Sequence, residues 1–293
     1  MLFPGHLEGD WRIAPSEVVA SWPAPAFAEN LAVDASGRVF VSMHSHKRID
    51  RYDPQSRTLE SFADLPTSPA GLAFDDRGYL WITGGTLGAS PGFVWRADPQ
   101  GVIEPWVEIP DAVFMNGCTP LGDGHTLLVC ESATGRILAV DQAKRTWRPW
   151  ITDSRLVPKD PQFPGANGIK MYNGFAYVSV TDANILYRTP LNARGEPGDL
   201  SVFATDLRAD DFTFDSNGML YVATHPAQSV LRLTQSGERT TIAGPDQGAV
   251  GSTACALGRG PGEERALYVT TTGGIYFPYQ GQLQDAKLLK LRI

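Results

Sequence analysis

One template is written six times along this chain. An apolar strand, a tight turn, a second apolar strand and a polar corner recur as ENLAVDASGRVFVSMH from Glu29, AGLAFDDRGYLWITGG from Ala70 and NGCTPLGDGHTLLVCE from Asn116. They recur again as NGIKMYNGFAYVSVTD from Asn167, DDFTFDSNGMLYVATH from Asp210 and STACALGRGPGEERALYVTT from Ser252. The starts lie 41, 46, 51, 43 and 42 residues apart. That period fits a blade of four short antiparallel strands, whereas a TIM barrel or doubly wound sheet needs a helix in each repeat. The predicted fold is therefore all-β: a six-bladed β-propeller of four-stranded antiparallel blades, taken as a single domain over residues 1–293.

Local signals agree with the period. Gly37, Gly78, Gly124, Gly174 and Gly218 stand at the turns, where hairpin connections demand a positive φ. Third strands read as RIDRYD, FVWRAD, RILAVD, ILYRTP and VLRLTQ, and fourth strands as LESFAD, IEPWVE, TWRPWI and SVFATD. The sixth repeat runs out of chain at AKLLKLRI, its third strand, while Glu17 to Trp22 is strand-like and has no blade of its own. This N-terminal strand is expected to complete the last blade and so close the ring without an open seam.

Composition excludes several classes. With 42% hydrophobic and 19% charged residues the chain has the make-up of a globular protein. Its net charge is -7 and its densest basic stretch is only Ser45-His46-Lys47-Arg48, so nucleic acid is not an expected partner. No stretch of 18 apolar residues occurs, and the first twenty residues carry neither a basic n-region nor an apolar h-region; a cytoplasmic chain without membrane insertion is the expectation. Cys118, Cys130 and Cys255 show no CxxC spacing and are expected to be buried thiols. HExxH, P-loop and GxGxxG motifs are missing, which removes the zincin, NTPase and dinucleotide readings.

The first strand of each blade lines the central channel of a propeller, so the first template position should form a ring at one mouth. Those residues are Glu29, Ala70, Asn116, Asn167, Asp210 and Ser252. Five of the six carry side-chain oxygen where an ordinary core would take Val, Ile or Ala. Glu29 and Asp210 held about 5 Å apart would repel by about 3 kcal/mol at an effective dielectric near 20. A hard divalent cation neutralises such a pair, with Ca²⁺ the best match to carboxylate and amide oxygens and Mn²⁺, Mg²⁺ or Zn²⁺ as substitutes. A shared proton or a water-filled polar plug would also settle the two acids. The second strands end at the same mouth and bring His44, Glu131, Asp182 and His225 there, where a substrate would sit.

These repeats resemble the propeller family that includes gluconolactonase, senescence marker protein and luciferin-regenerating enzyme, from about residue 17 to 293. ENLAVDASGRVFVS looks like the family's first-blade motif with its metal-binding Glu, ANGIKMYNGFAYVSVTD like its Asn-Gly motif, and ADDFTFDSNGMLYVAT like its Pro-Asp-Gly motif. The resemblance implies Glu29, Asn167 and Asp210 as metal ligands and Asp210 as general base, with Asp182 or His225 as other proton acceptors. By their places at the mouth, Asn116, Phe114, His44 and Glu131 are the expected substrate contacts. Sugar-lactone members carry an Arg two residues before the third-blade Asn, a place held here by Phe114, which favours a more apolar lactone or ester. Asp210-Asp211 stands where the family has Asp-Gly, and strand alternation is expected to turn Asp211 away from the metal. Metal-assisted hydrolysis of a small-molecule lactone or ester is the leading expectation. The alternatives are a cyclase, isomerase or condensing enzyme on the same ring, and a binding propeller with a structural cation.

Overall fold

Each blade follows from short apolar strands joined by tight turns. The computed structural model describes residues 13–293; residues 1–12, which the single-domain expectation includes, lie outside the described residues. The chain opens with β1 (Ser16–Trp22) and then builds a blade from β2 (Ala28–Val33), β3 (Val39–Met43), β4 (Arg48–Asp53) and β5 (Thr58–Asp64). The second blade is β6 (Ser68–Phe74), β7 (Leu80–Gly85), β8 (Gly92–Ala97) and β9 (Ile103–Ile109); the third is β10 (Met115–Pro120), β11 (Thr126–Glu131), β12 (Arg136–Asp141) and β13 (Trp147–Thr152). The fourth is β14 (Ala166–Tyr172), β15 (Phe175–Val180), β16 (Ile185–Pro190) and β17 (Ser201–Ala204). The fifth is β18 (Phe212–Phe214), β19 (Leu220–Thr224), β20 (Ser229–Leu233) and β21 (Arg239–Ala243), and β22 (Ser252–Leu257), β23 (Ala266–Thr271) and β24 (Ala286–Arg292) end the chain.

The last sheet has the order β1-β24-β23-β22, so the N-terminal strand supplies its outermost member. Antiparallel pairing runs from Ser16 opposite Leu291 to Trp22 opposite Ala286. Closure is reinforced across blades: Trp22 Nε1 donates to Asp50 Oδ2 at 2.7 Å, and the buried Asp50 is also paired with Arg48. Apolar faces meet between neighbouring blades, as where Val39 and Val41 pack with Tyr268 and Leu288. The turn glycines hold the expected conformation, with φ between 74° and 87° at Gly37, Gly78, Gly124, Gly174 and Gly218. Cys118, Cys130 and Cys255 are free and buried, and burial raises all three thiols, that of Cys118 to about 12.

Two devices shape the channel mouth. The pairing of first and second strands slips at the ring position in five blades: between Ala28 and Asn30, Pro69 and Leu72, Met115 and Cys118, Ala166 and Ile169, and Ser252 and Ala254. Such bulges re-aim a side chain that strict alternation would bury between strands. In the fifth blade Asp210 and Asp211 precede β18 and hold the same place, Asp210 N donating to Ala223 O at 2.9 Å and Ala223 N to Asp211 O at 3.0 Å. Second-strand hydroxyls of three blades then stitch each of these to the next. Ser42 Oγ donates to Ala70 O (2.6 Å), Thr83 Oγ1 to Asn116 O, and Ser179 Oγ to Asp210 O (2.7 Å). This close approach explains the Asn-Gly pairs: a Cβ on Gly117 would stand 2.6 Å from Asn167 O, and one on Gly168 2.5 Å from Asp211 Oδ1.

Candidate functional site

The bulges turn a ring of polar side chains into the channel mouth, and the fold brings Glu29, Asn167 and Asp210 into one buried group. Asn167 Nδ2 donates to Asp210 Oδ1 at 2.7 Å and to Thr181 Oγ1 at 2.9 Å. Asn116 Nδ2 donates to Ser132 Oγ at 3.2 Å. With their amide nitrogens engaged by protein acceptors, both asparagines leave Oδ1 without a donor among the described residues. Glu29 makes no side-chain hydrogen bond among the described residues. Burial pushes its carboxyl well above the usual range, and the negative charges of Asp210 and Asp211 push it further.

Asp210 is the best-connected acid of the ring. Its carboxyl is also raised, chiefly by burial; the His225 and Asn167 contacts oppose this, while Asp211 adds to it. His225 Nδ1 lies 3.3 Å from Asp210 Oδ2, and His225 Nε2 lies 3.3 Å from Thr272 Oγ1. Gly274 N donates to that same hydroxyl at 3.2 Å, so the Thr272 proton is free to point at Nε2. The network thereby assigns the histidine proton to Nδ1, donated to Asp210.

Asp211 turns away from this group, down the channel. Its two oxygens take Lys170 Nζ at 2.6 and 2.7 Å, and Asn30 Nδ2 donates to Oδ2 at 2.9 Å. Neither Lys170 nor Asn30 stands out in the sequence, because a lone Lys in IKMY and an Asn beside Glu29 look like ordinary strand residues. The signal that could have found Lys170 is charge balance: a third acid next to two others requires a cation from a channel-facing position.

The remaining predicted residues sit around the mouth in different roles. His44 is half-buried with Nδ1 on Pro69 O at 3.1 Å, and it shares a recess with Ala70, Gly92, Phe114 and Met115. Glu131 is fully buried, its Oε1 accepting from Val113 N (3.1 Å) and Phe114 N (3.0 Å) and its Oε2 from Thr134 N (2.8 Å) and Thr134 Oγ1. Its carboxylate holds the loop that presents Phe114 and has no edge left for a substrate. Asp182 accepts from Lys159 N at 2.7 Å and caps the loop before Gly165. Aromatic residues outside the repeat template were missed: the Phe27 ring lies 5.3 Å from that of His44, 5.9 Å from that of His225 and 5.8 Å from that of Tyr276.

The donor set fits a hard cation. Glu29, Asp210 and the open amide oxygens of Asn167 and Asn116 offer oxygen only, the preference of Ca²⁺. Among the described residues no three of His, Cys, Asp and Glu form a metal-binding group, so such an ion would depend on the amides. No helix among the described residues is long and apolar enough to cross a membrane.

No family model matches the chain, and no curated protein matches it by sequence. Solved structures do match. A luciferin-regenerating enzyme superposes with a TM-score of 0.73 at 15% identity, covering 96% of this chain and 95% of that one. A gluconolactonase from Xanthomonas campestris gives 0.72 at 15% identity, covering 95% and 89%. A regucalcin from Agrobacterium tumefaciens, described as a calcium-binding protein, gives 0.67 at 20% identity and covers 95% of each chain. At these identities the likeness is one of fold, and the chain has the six-bladed propeller that these proteins share.

Proposed function

We propose that the protein is a metal-dependent hydrolase of a lactone or related ester. The observation that carries this reading is Glu29, a buried carboxyl with no hydrogen-bond donor, beside Asp210 and two amide oxygens that are equally open. The gluconolactonase and calcium-binding neighbours support it at the level of reaction class.

One divalent cation, Ca²⁺ in the first instance, would be held by Glu29, Asn167 and Asp210, and would supply Lewis-acid polarisation of the substrate carbonyl. The proton chemistry belongs to the chain. Asp210 accepts a proton from the attacking water while the water's hydroxyl adds to the acyl carbon. His225, donating from Nδ1, holds Asp210 Oδ2 in place and keeps Nε2 as the alternative acceptor of the water's proton. The ring C–O bond then breaks, and the departing alkoxide recovers the proton as the hydroxyl of a hydroxy acid. Asn116 orients the substrate, and Phe114 and Met115 offer it an apolar wall.

A second reading draws on the same pair. A histidine oriented by a buried carboxylate also suits removal of a proton from carbon, as a lyase or isomerase would require. The deciding experiment is proton release from aliphatic, aromatic and sugar lactones in H₂¹⁸O, with Ca²⁺, Mn²⁺, Mg²⁺ or Zn²⁺ and after chelation. Hydrolysis predicts chelator-sensitive release and one ¹⁸O in the product acid. Product lacking ¹⁸O would turn the assignment to the carbon-acid reading.

A further inference from the structure

The mouth is rimmed by rings. From the recess that holds Phe114 and Met115, the wall passes through His44 to Phe27, whose ring meets that of Tyr276 edge-on at 77°. Tyr276 and Phe277 flank His225 at 6.3 and 6.1 Å. The loop that carries them is fixed at its base: Gln284 N donates to Gly273 O at 2.9 Å, and Gln228 Nε2 donates to Phe277 O at 2.8 Å. A Cβ on Gly273 would stand 2.0 Å from Gln284 O, so that base tolerates no side chain. Yet Tyr276, on this anchored loop, leaves 57% of its surface exposed.

Outside the Glu29, Asn116, Asn167 and Asp210 group that would hold the cation, the polar groups named at the mouth are engaged. Glu131 is committed to backbone amides, Asp182 to Lys159 N, and His44 Nδ1 to Pro69 O. A sugar entering this mouth would give up water without recovering its hydrogen bonds, whereas a flat apolar ring would gain area and edge contacts. We propose that the substrate carries an aromatic ring next to its ester or lactone carbonyl, and that Tyr276 is the residue that selects it. This inference rests on the hydrolase reading for the bond broken, but the ring site stands on its own geometry.

The test uses two pairs of probes on the full-length protein with Ca²⁺. Hydrolysis of 3,4-dihydrocoumarin is compared with that of the aliphatic δ-nonalactone, and binding of the unhydrolysable ketone 2-tetralone is compared with that of saturated 2-decalone by calorimetry. The aryl probe of each pair is expected to win. Tyr276→Leu should shrink that preference about three- to tenfold, through KM, while Tyr276→Phe keeps it. Equal handling of aryl and alkyl probes by the wild type, or a preference untouched by Tyr276→Leu, overturns the inference. Tyr276-dependent binding of 2-tetralone with neither lactone hydrolysed would uphold the ring site and remove the hydrolase reading. Absence of both binding and hydrolysis would overturn the ring site.

Discussion

Lys170 Nζ stands 2.6 and 2.7 Å from the two carboxylate oxygens of Asp211. Three acids, Glu29, Asp210 and Asp211, crowd the upper channel, and this ammonium answers one of them. The charge left for a bound cation is then that of Glu29 and Asp210, two negative charges for one divalent ion. Lys170→Met should uncover Asp211, which is 3% exposed. Breaking such a pair costs about 3 kcal/mol when both partners are buried, and less here because Lys170 keeps some water. The expected result is a lower melting temperature in chelator and a larger rise on adding Ca²⁺ than the wild type shows. An unchanged melting temperature in chelator would mean that the pair is idle.

Three proton acceptors are separable by substitution. Asp210→Asn keeps the shape of the ring and removes both a base and a charge, so kcat should fall about 10²- to 10⁴-fold. The Ca²⁺-dependent rise in melting temperature should shrink with it. His225→Gln should lower kcat while leaving that thermal shift largely in place, since its nitrogens are engaged by Asp210 and Thr272. Asp182→Asn should cost less than about threefold, because Asp182 holds Lys159 N. Steady-state kinetics paired with calcium-dependent melting separates the three, and a large loss of kcat in Asp182→Asn would return that residue to the chemistry.

The sequence made the blades readable because a strand-turn-strand template repeats with its turn glycine, and period is a global property that local errors do not erase. The closing strand was readable for the same reason: Glu17 to Trp22 had no place in the template and one vacancy to fill. Template position put Glu29, Asn167 and Asp210 in one ring of six, and the family resemblance singled those three out. What escaped was what the loops and the off-template positions contribute. Glu131 at a strand end looks like a mouth carboxylate, and only the folded loop shows that Val113, Phe114 and Thr134 take it up. Lys170 and Tyr276 lie off the template position, one deeper in the channel and one on an insertion after β23, so the repeat gives no reason to single them out.

Glu29 makes a prediction about pH. Its carboxyl is raised well above 4.5 in the folded, metal-free protein by burial first and by Asp210 and Asp211 second. The folded state therefore binds a proton more tightly than the unfolded state, and the associated stability is present at low pH and lost as pH rises through the raised value. In chelator the melting temperature of the wild type should fall relative to Glu29→Gln as pH rises above 4.5, because the variant has no proton to lose there. Saturating Ca²⁺ should flatten that difference. Exposed carboxyls lowered by their partners, such as Asp141 and Asp153, act in the opposite sense and at lower pH, outside this window. A wild-type curve parallel to that of Glu29→Gln in chelator would contradict the account of Glu29 as an unpartnered acid.

Trp22 and Asp50 tie the first blade to the last. The indole Nε1 donates to a carboxylate that is 1% exposed, and Arg48 forms an ion pair with it. Asp50→Ala would strand both the indole N–H and the Arg48 guanidinium at the seam, for a loss of about 2–4 kcal/mol. Trp22→Phe keeps most of the apolar contact and leaves Asp50 with Arg48, so about 1–2 kcal/mol is expected. Because the two changes remove one shared contact, their double variant should lose less than their sum by about 0.5–3 kcal/mol. Urea unfolding measures all four proteins, with the midpoint falling at unchanged slope if the closed ring still unfolds as a unit. Strict additivity would show that the ring is closed by the β1–β24 ladder alone, with the Trp22–Asp50 contact contributing nothing across the seam.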